Sequence, residues 1–401
     1  MTEINNTQRW LSRKYLAYEF LGNLWFVGAI WLYFYRIFMT DQQIGILDGL
    51  AFTIGLIAEV PSGALADKFG RDRLVKLGQV LSGVGFLIQA FGSDFVTLLI
   101  GQSIMMIGVS FVSGADQALF FSKLNFEEGT KHWRKLITRG SQVALITTLF
   151  AVVIGAWLYT VHPRLPWIVS GLTSFASCIL IWSIKETRVQ TKSKKFIVEL
   201  KEYLSSIKTG FAYFLKPNLL PYVGIVIVVQ GLFYTTEWGL LRLVLLDRFY
   251  FTPFWGSVII SVSSLLTVAI LHFMHIHAEK IDERIVIICV SLSVVFSLLI
   301  SIFDIGIWGC LVIFMLYAGS NILHPFLSEI FNNKSSENHR ATVLSVASFL
   351  RTLPYIGLAP LIGYYNGRNG LEYFLFLWSL LVVVVIVIYI IFSYYRKPNA
   401  V

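Results

Sequence analysis

The sequence predicts an all-α membrane protein with twelve transmembrane helices in two pseudo-symmetric bundles of six. Three observations carry that expectation. The 401 residues are 56% hydrophobic and 14% charged, where a soluble domain averages about 25% charged residues, and the mean hydropathy is +0.71. Apolar runs of about 20 residues, enough to cross a hydrocarbon core, recur along the whole chain. Lysine and arginine gather in alternate connections between those runs.

Reading the runs against their polar punctuation places the spans at 14–38, 42–68, 73–92, 95–122, 136–161, 165–185, 218–246, 253–278, 284–303, 306–331, 340–366 and 371–395. The longest polar stretch follows the sixth span and carries Lys192, Lys194, Lys195, Lys201 and Lys208 among apolar residues, the pattern of an amphipathic helix lying on a membrane surface. The expected organisation is a bundle over 1–185, a cytoplasmic linker with that helix over 186–217, and a second bundle over 218–401. The halves echo one another, as in repeat-built transporters: Ala66-Asp67-Lys68-Phe69 after the second span matches Ala278-Glu279-Lys280-Ile281 after the eighth.

With the N-terminus inside, 26 Lys and Arg fall on the cytoplasmic side, against Arg36, Arg164, Arg242, Arg248 and Arg368 outside. The positive-inside rule then puts both termini in the cytoplasm. The net charge of +9 sits in these loops, so lipid is the expected partner and nucleic acid is not. Cys178, Cys289 and Cys310 all lie in apolar segments, so no disulfide framework is implied. The first apolar run lacks a small-residue cleavage site and is too long for a signal peptide, so it reads as a retained helix.

Residues 59–73 read EVPSGALADKFGRDR, between the second and third spans. Gly63, Leu65, Asp67, Gly70, Arg71 and Arg73 occupy positions that resemble the signature of the major facilitator superfamily. The preceding Glu-Val-Pro-Ser and the later GADQALFF (114–121) are similar to a bacterial branch of drug or metabolite exporters. The resemblance implies a bacterial inner-membrane transporter acting as a monomer. It also implies a conformational latch built from Gly63, Asp67, Gly70, Arg71 and Arg73, with the Asp67 carboxylate facing the start of the eleventh helix. Gly63 would let a neighbouring helix approach, Gly70 would adopt positive φ, and the two arginines would hold the loop in the cytoplasm. The bland alternative makes the basic residues simple orientation signals. Two features depart from the proton-antiporter pattern: Gln102 stands where many relatives carry arginine, and only Gly155 represents the glycine- and proline-rich motif of the fifth helix.

Ionisable residues inside spans are costly and are functional candidates by default. Glu59, Gly63 and Asp67 share one helical face at i, i+4, i+8. Arg351 lies eleven residues beyond Arg340, roughly 16 Å along its helix. The second and eleventh helices are neighbours in the resembled fold, so Glu59 and Arg351 are the expected interface pair. Arg351 alternatively binds an anionic substrate or another carboxylate such as Asp116. Asp116 and Glu19 lie at matching depths on helices expected to line the cavity. With Glu59 they are the candidates for proton coupling; the bland alternative is a structural carboxylate bonded to Gln117 or Tyr15. Asn23, Phe26, Gln117, Gln230, Tyr234 and Glu237 are the expected cavity lining, a mixed polar and aromatic wall suited to an amphipathic molecule. Arg242, Asp247 and Arg248 read as a solvated outer pair or gate. His272, His275 and His277 read as interfacial side chains; no metal or other cofactor is expected.

The function expected is proton-coupled export of a small amphipathic molecule, a drug, peptide-like antibiotic or metabolite, by alternating access. The competing readings are proton-coupled uptake of a nutrient or peptide and, on the same fold, a non-transporting sensor or lipid-moving protein. With no nucleophile–base constellation in the sequence, an enzyme is not expected.

Overall fold

The computed structural model describes residues 6–124, 129–184, 205, 208–276, 282–335 and 340–395. They are helical almost throughout and fall into two compact units: Met1–Met39 with Leu50–Glu202, and Thr40–Gly49 with Tyr203–Val401. The first unit holds α1 (Asn6–Gly22), α2 (Trp31–Tyr35), residues 50–69 of α3 (Asp41–Phe69), α4 (Arg71–Phe91), α5 (Phe95–Val112), α6 (Ala115–Leu124), α7 (Gly129–Val161) and α8 (Leu165–Ile181). The second holds residues 41–49 of α3, α9 (Leu220–Gly224), a π-helical turn (Ile225–Gln230), α10 (Gly231–Glu237) and α11 (Leu240–Arg248). It continues with α12 (Pro253–Ile276), α13 (Glu283–Ile300), α14 (Gly309–Lys334), α15 (Arg340–Thr352), α16 (Tyr355–Asn366) and α17 (Leu371–Tyr395). Most of the 186–217 linker and the segment 278–281 lie outside the described residues.

Nine stretches among the described residues are long and apolar enough to cross a membrane, and α8 is a shorter apolar helix. The chain is a multi-pass membrane protein. Local chemistry sets many helix ends. Asp94 starts α5 by accepting from the Val96 and Thr97 amides at 3.0 Å and from the Thr97 hydroxyl at 2.7 Å, which satisfies donors that the first turn leaves unpaired. Asp282 starts α13 by accepting from the Arg284 amide at 2.7 Å. Between α3 and α4, Gly70 has φ +96°, a conformation that a side chain would strain, as the sequence led us to expect.

Close packing rests on small residues, as it does where lipid supplies no hydrophobic drive between helices. In the first unit, a Cβ on Gly85 of α4 would lie 2.5 Å from the Met105 nitrogen of α5. In the second, a Cβ on Gly45 of α3 would lie 2.3 Å from the Ala359 carbonyl of α16. Outward faces carry exposed apolar side chains, such as Leu380, Val384, Val387, Ile388 and Ile391 of α17, which suits lipid rather than water.

The largest departure from the expected spans is discontinuity. The first span is interrupted from Asn23 to Ile30, the fourth at Ser113–Gly114, the seventh by the π turn and again at Trp238–Gly239, and the eleventh at Leu353–Pro354. Each break needs partners for its freed backbone. In the first span, the Phe26 amide donates to Ser170 Oγ at 3.2 Å. The Phe26 carbonyl packs on Gly155 of α7, where a Cβ would lie 1.8 Å away. Gly155 therefore leaves room for the broken segment of the first span.

Candidate functional site

Every one of the four interrupted spans carries an ionisable residue beside its break. In the first unit, Glu19 occupies the last turn of α1. Asn23, just beyond, donates to the Glu19 carbonyl at 2.7 Å and approaches its carboxylate at 3.4 Å. Asp116 lies in the first turn of α6, immediately after Gly114 (φ +74°), where the aligned amides favour an anion. Its carboxylate accepts from the Gln117 amide at 2.6 Å. Tyr15 contacts Glu19, Tyr18 contacts Asp116, and the two carboxylates lie within electrostatic range of one another. An aromatic and amide shell holds the tyrosines: Tyr15 and Tyr18 pack on Phe120 with ring centroids 5.1 and 5.6 Å apart, and Gln79 donates to the Tyr18 hydroxyl at 3.0 Å. Among the described residues, neither Glu19 nor Asp116 forms a salt bridge with Lys or Arg.

The second unit is built differently. Glu237 ends α10 at the seventh-span break, and Arg351 lies in the last turn of α15 at the eleventh-span break. Their side chains form a salt bridge, with 17% and 12% of their surfaces exposed. Ser320 of α14 donates to the same Glu237 carboxylate oxygen at 3.0 Å. The Arg351 guanidinium lies 5.6 Å from the Tyr234 ring centroid, within cation–π range. Arg242 of α11 is buried and donates to the Glu237 backbone carbonyl at 2.8 Å, tying the two sides of the break together. Tyr355, also buried, accepts from the Leu240 amide at 3.1 Å and donates to Asp48 of α3. Gly239 makes room for the Tyr355 ring, 2.3 Å from where its Cβ would lie.

The pair expected between Glu59 and Arg351 is therefore corrected: Arg351 is bound by Glu237. Glu59 stands exposed on α3, its backbone carbonyl accepting from Ser62 Oγ at 2.7 Å. The reason is the pair of breaks in the second unit: Glu237 at the end of α10 and Arg351 in the last turn of α15 meet there. Arg242, expected in a solvated outer pair, is buried beside Glu237. Arg248 forms a partly exposed pair with Glu372 at 2.7 Å. Among the described residues, a Cβ on Gly63 would meet nothing within 4 Å. The Asp67 side chain and His277 lie outside the described residues, and Arg73 is exposed. Phe26 and Gln230 are buried, Asn23 and Tyr234 are half-buried, and Gln117 is exposed. No cluster suited to a metal ion occurs among the described residues.

Sequence reasoning missed Ser320, Tyr355 and Asp48. Asp48, an acid within an apolar span, was the one available signal. It also missed what Gln102 does. The Tyr35 hydroxyl lies 2.6 Å from Gln89 Oε1 and 3.1 Å from Gln102 Oε1, and Trp167 Nε1 donates to Gln89 at 3.2 Å. All four side chains are buried, so in place of an arginine the first unit has a neutral network.

Membrane-spanning helices broken beside half-buried charges define a class: secondary transporters that place their sites at discontinuous helices. The chain matches the Major Facilitator Superfamily over residues 17–358 and belongs to it. It is a membrane transporter by family, not an enzyme. It is similar in fold to the nucleoside transporter NupG (TM-score 0.74, 11% identity, 98% of this chain and 100% of that one). It is similar also to a peptide transporter, POT, in complex with sulfate (TM-score 0.73, 13% identity, 96% and 94%). A third likeness is to a bacterial homolog of the human lysosomal transporter Spinster, inward-facing and unoccupied (TM-score 0.68, 13% identity, 99% and 100%). No curated protein sequence matches this chain.

Proposed function

We propose that the chain is a proton-coupled secondary transporter that exports a small amphipathic organic molecule across a bacterial inner membrane. It works by alternating access of an N-terminal bundle (1–185) and a C-terminal bundle (218–401), joined by the 186–217 linker. It functions as a monomer with both termini in the cytoplasm. The observation that carries this reading is the coincidence of broken spans with half-buried charge: Glu19, Asp116, Glu237 and Arg351 each lie beside an interruption. Breaks free backbone groups for a ligand, and carboxylates in a low-dielectric interior can exchange protons near neutral pH.

In this reading Asp116 and Glu19 carry the coupling proton in the first unit, with Glu59 as an exposed relay. The motif of Gly63, Asp67, Gly70, Arg71 and Arg73 serves as the latch. Asn23, Phe26, Gln117, Gln230, Tyr234 and Glu237 line the substrate path. The test is transport in proteoliposomes with an imposed proton gradient and a panel of amphipathic compounds. Wild type should move substrate against its gradient with a matching proton flux. Asp116→Asn should uncouple the two; coupling retained in that variant removes Asp116 from the mechanism. Uptake of a nutrient is a second reading, favoured by the Glu237–Arg351 pair, which offers a cation to an acidic solute. The sign of the proton flux relative to substrate separates the two.

A further inference from the structure

The charged cluster of the second unit is biased toward one kind of guest. Around Glu237 and Arg351 hydrogen-bond donors predominate. Ser320 donates its hydroxyl to Glu237 and Arg242 donates to the Glu237 carbonyl. Gln230 lies on the same face as Tyr234 and Glu237, one and two turns earlier, and its Nε2 is buried with no hydrogen-bond partner. A buried amide donor without an acceptor is rare and calls for an explanation. The π turn that ends at Gln230 is itself a feature that recurs at functional sites; it packs against α15, the helix of Arg351.

The charge balance points the same way. The groups around Glu237 are Arg351 from α15, Arg242 from α11 and Ser320 from α14, with His324 of α14 within electrostatic range. Tyr234 lies on its own helix, and Tyr355 of α16 is already engaged with Asp48. The Glu237 carboxylate thus has one guanidinium, Arg351, as its ion-pair partner, since Arg242 reaches the backbone carbonyl and not the carboxylate. A cationic guest would have to take Glu237 from Arg351 and would then lie beside the freed guanidinium. An anionic guest would take Arg351 from Glu237, leaving two carboxylates for one guanidinium. Like charges so close do not both stay ionised, and one proton resolves the conflict.

We propose that Arg351 binds the carboxylate of an amphipathic organic acid, that Glu237 occupies this seat when no substrate is bound, and that Glu237 gains one proton as the acid enters. Gln230 supplies the additional donor to the guest. The balance closes: one carboxylate enters, one proton enters, and the net charge of the site is unchanged. The inference rests on the transporter reading for placing a substrate here, but not on the direction of transport.

Binding separates the two claims. The purified full chain in detergent is titrated with 1-naphthoate and, as the matched cation, 1-naphthylmethylammonium, over about pH 5.5 to 8, where the acid probe stays ionised. Wild type should bind naphthoate in preference to the amine, with affinity falling about tenfold per pH unit once Glu237 is ionised, the slope of one linked proton. Glu237→Gln should bind naphthoate with little pH dependence, and Arg351→Gln should lose it. Gln230→Leu should weaken it about three- to tenfold, the loss of one hydrogen bond. His324→Gln should keep the pH slope, which excludes the imidazole as its source.

Preference for the amine, an absence of naphthoate binding to wild type, or a pH slope that survives in Glu237→Gln would each overturn the proposal. The double variant Glu237→Gln/Arg351→Gln, which removes both members of the ion pair, controls for folding. Should it retain its melting transition without binding naphthoate, the loss in Arg351→Gln is a loss of the seat. Should the double variant bind like wild type, the seat lies elsewhere. Proteoliposomes that show no transport while this binding pattern holds would sink the transporter reading and leave the acid seat standing.

Discussion

The carboxylates beside the breaks of the first unit have neutral partners, whereas the one beside the seventh-span break of the second closes on a guanidinium. Glu19 and Asp116 are held by Asn23, Tyr15, Tyr18 and backbone amides. Glu237 is held by Arg351 and Ser320, with Arg242 on its backbone carbonyl. The polar networks differ in the same sense. Tyr35, Gln89, Gln102 and Trp167 form a neutral set in the first unit, whereas Tyr355 in the second joins a helix break to a carboxylate. A carboxylate without a cation can change protonation state without stranding a partner. A carboxylate in an ion pair cannot, because its partner then needs another anion. The first arrangement suits a proton carrier, and the second suits a seat in which proton and guest exchange places with a resident pair.

Breaking the ion pair is where the units should differ most. Arg351→Gln or Glu237→Gln alone should destabilise the second unit by about 2–4 kcal/mol, since each leaves a largely buried charge without its partner. The combined variant should recover much of that loss, with a coupling of about 1–3 kcal/mol. Asp116→Asn in the first unit strands no cation and should shift stability by about 0.5 kcal/mol or less in either direction. Unfolding midpoints in detergent measure all four. Strictly additive losses for Glu237 and Arg351 would remove the distinction between the units.

How much of this was legible in the sequence depends on whether phase mattered. Spans are set by long apolar runs, which a boundary error of a few residues does not erase, and α12, α13 and α17 lie where they were expected. Gly70 was legible because a turn between two helices demands positive φ. The breaks were not. Asn23–Ile30 carries no proline, and its disruption is sustained by Ser170 and Gly155 from other helices. Leu353–Pro354 did carry a signal, since proline disfavours helix in the residue before it. The pairing of Arg351 could not be read, because the depth of a charge along its helix does not say which carboxylate lies opposite it. Glu237 and Arg351 were both singled out; what the sequence left open was that they meet.

A finer comparison sets one hydroxyl against one amide. Tyr355→Phe removes the acceptor of the Leu240 amide, at the start of α11, and the donor to Asp48. A buried group left unsatisfied costs about 1–3 kcal/mol. Gln102→Leu should cost less, about 1 kcal/mol, because the Tyr35 hydroxyl keeps Gln89 at 2.6 Å. The same midpoints check the ranking, and a larger loss for Gln102→Leu would make the neutral network the more important of the two.

The smallest expected contrast lies at two capped helix starts, one in each unit. Asp94 holds two amides and a hydroxyl of α5, whereas Asp282 holds one amide of α13. At neutral pH, Asp94→Ala should therefore lower the unfolding midpoint more than Asp282→Ala does. Hydrogen bonds from the Thr97 side chain and backbone hold the Asp94 carboxyl below the usual aspartate range. A depressed folded value contributes stability that is present above the ordinary carboxylate pKa of about 3.9 and is lost as pH falls through the lowered value. The gap between wild type and Asp94→Ala should accordingly hold from neutral pH to about pH 4 and close below it. A gap that persists unchanged well below that pH would mean the side chain acts through its shape rather than its charge, and the two caps would then differ only in how many amides they reach.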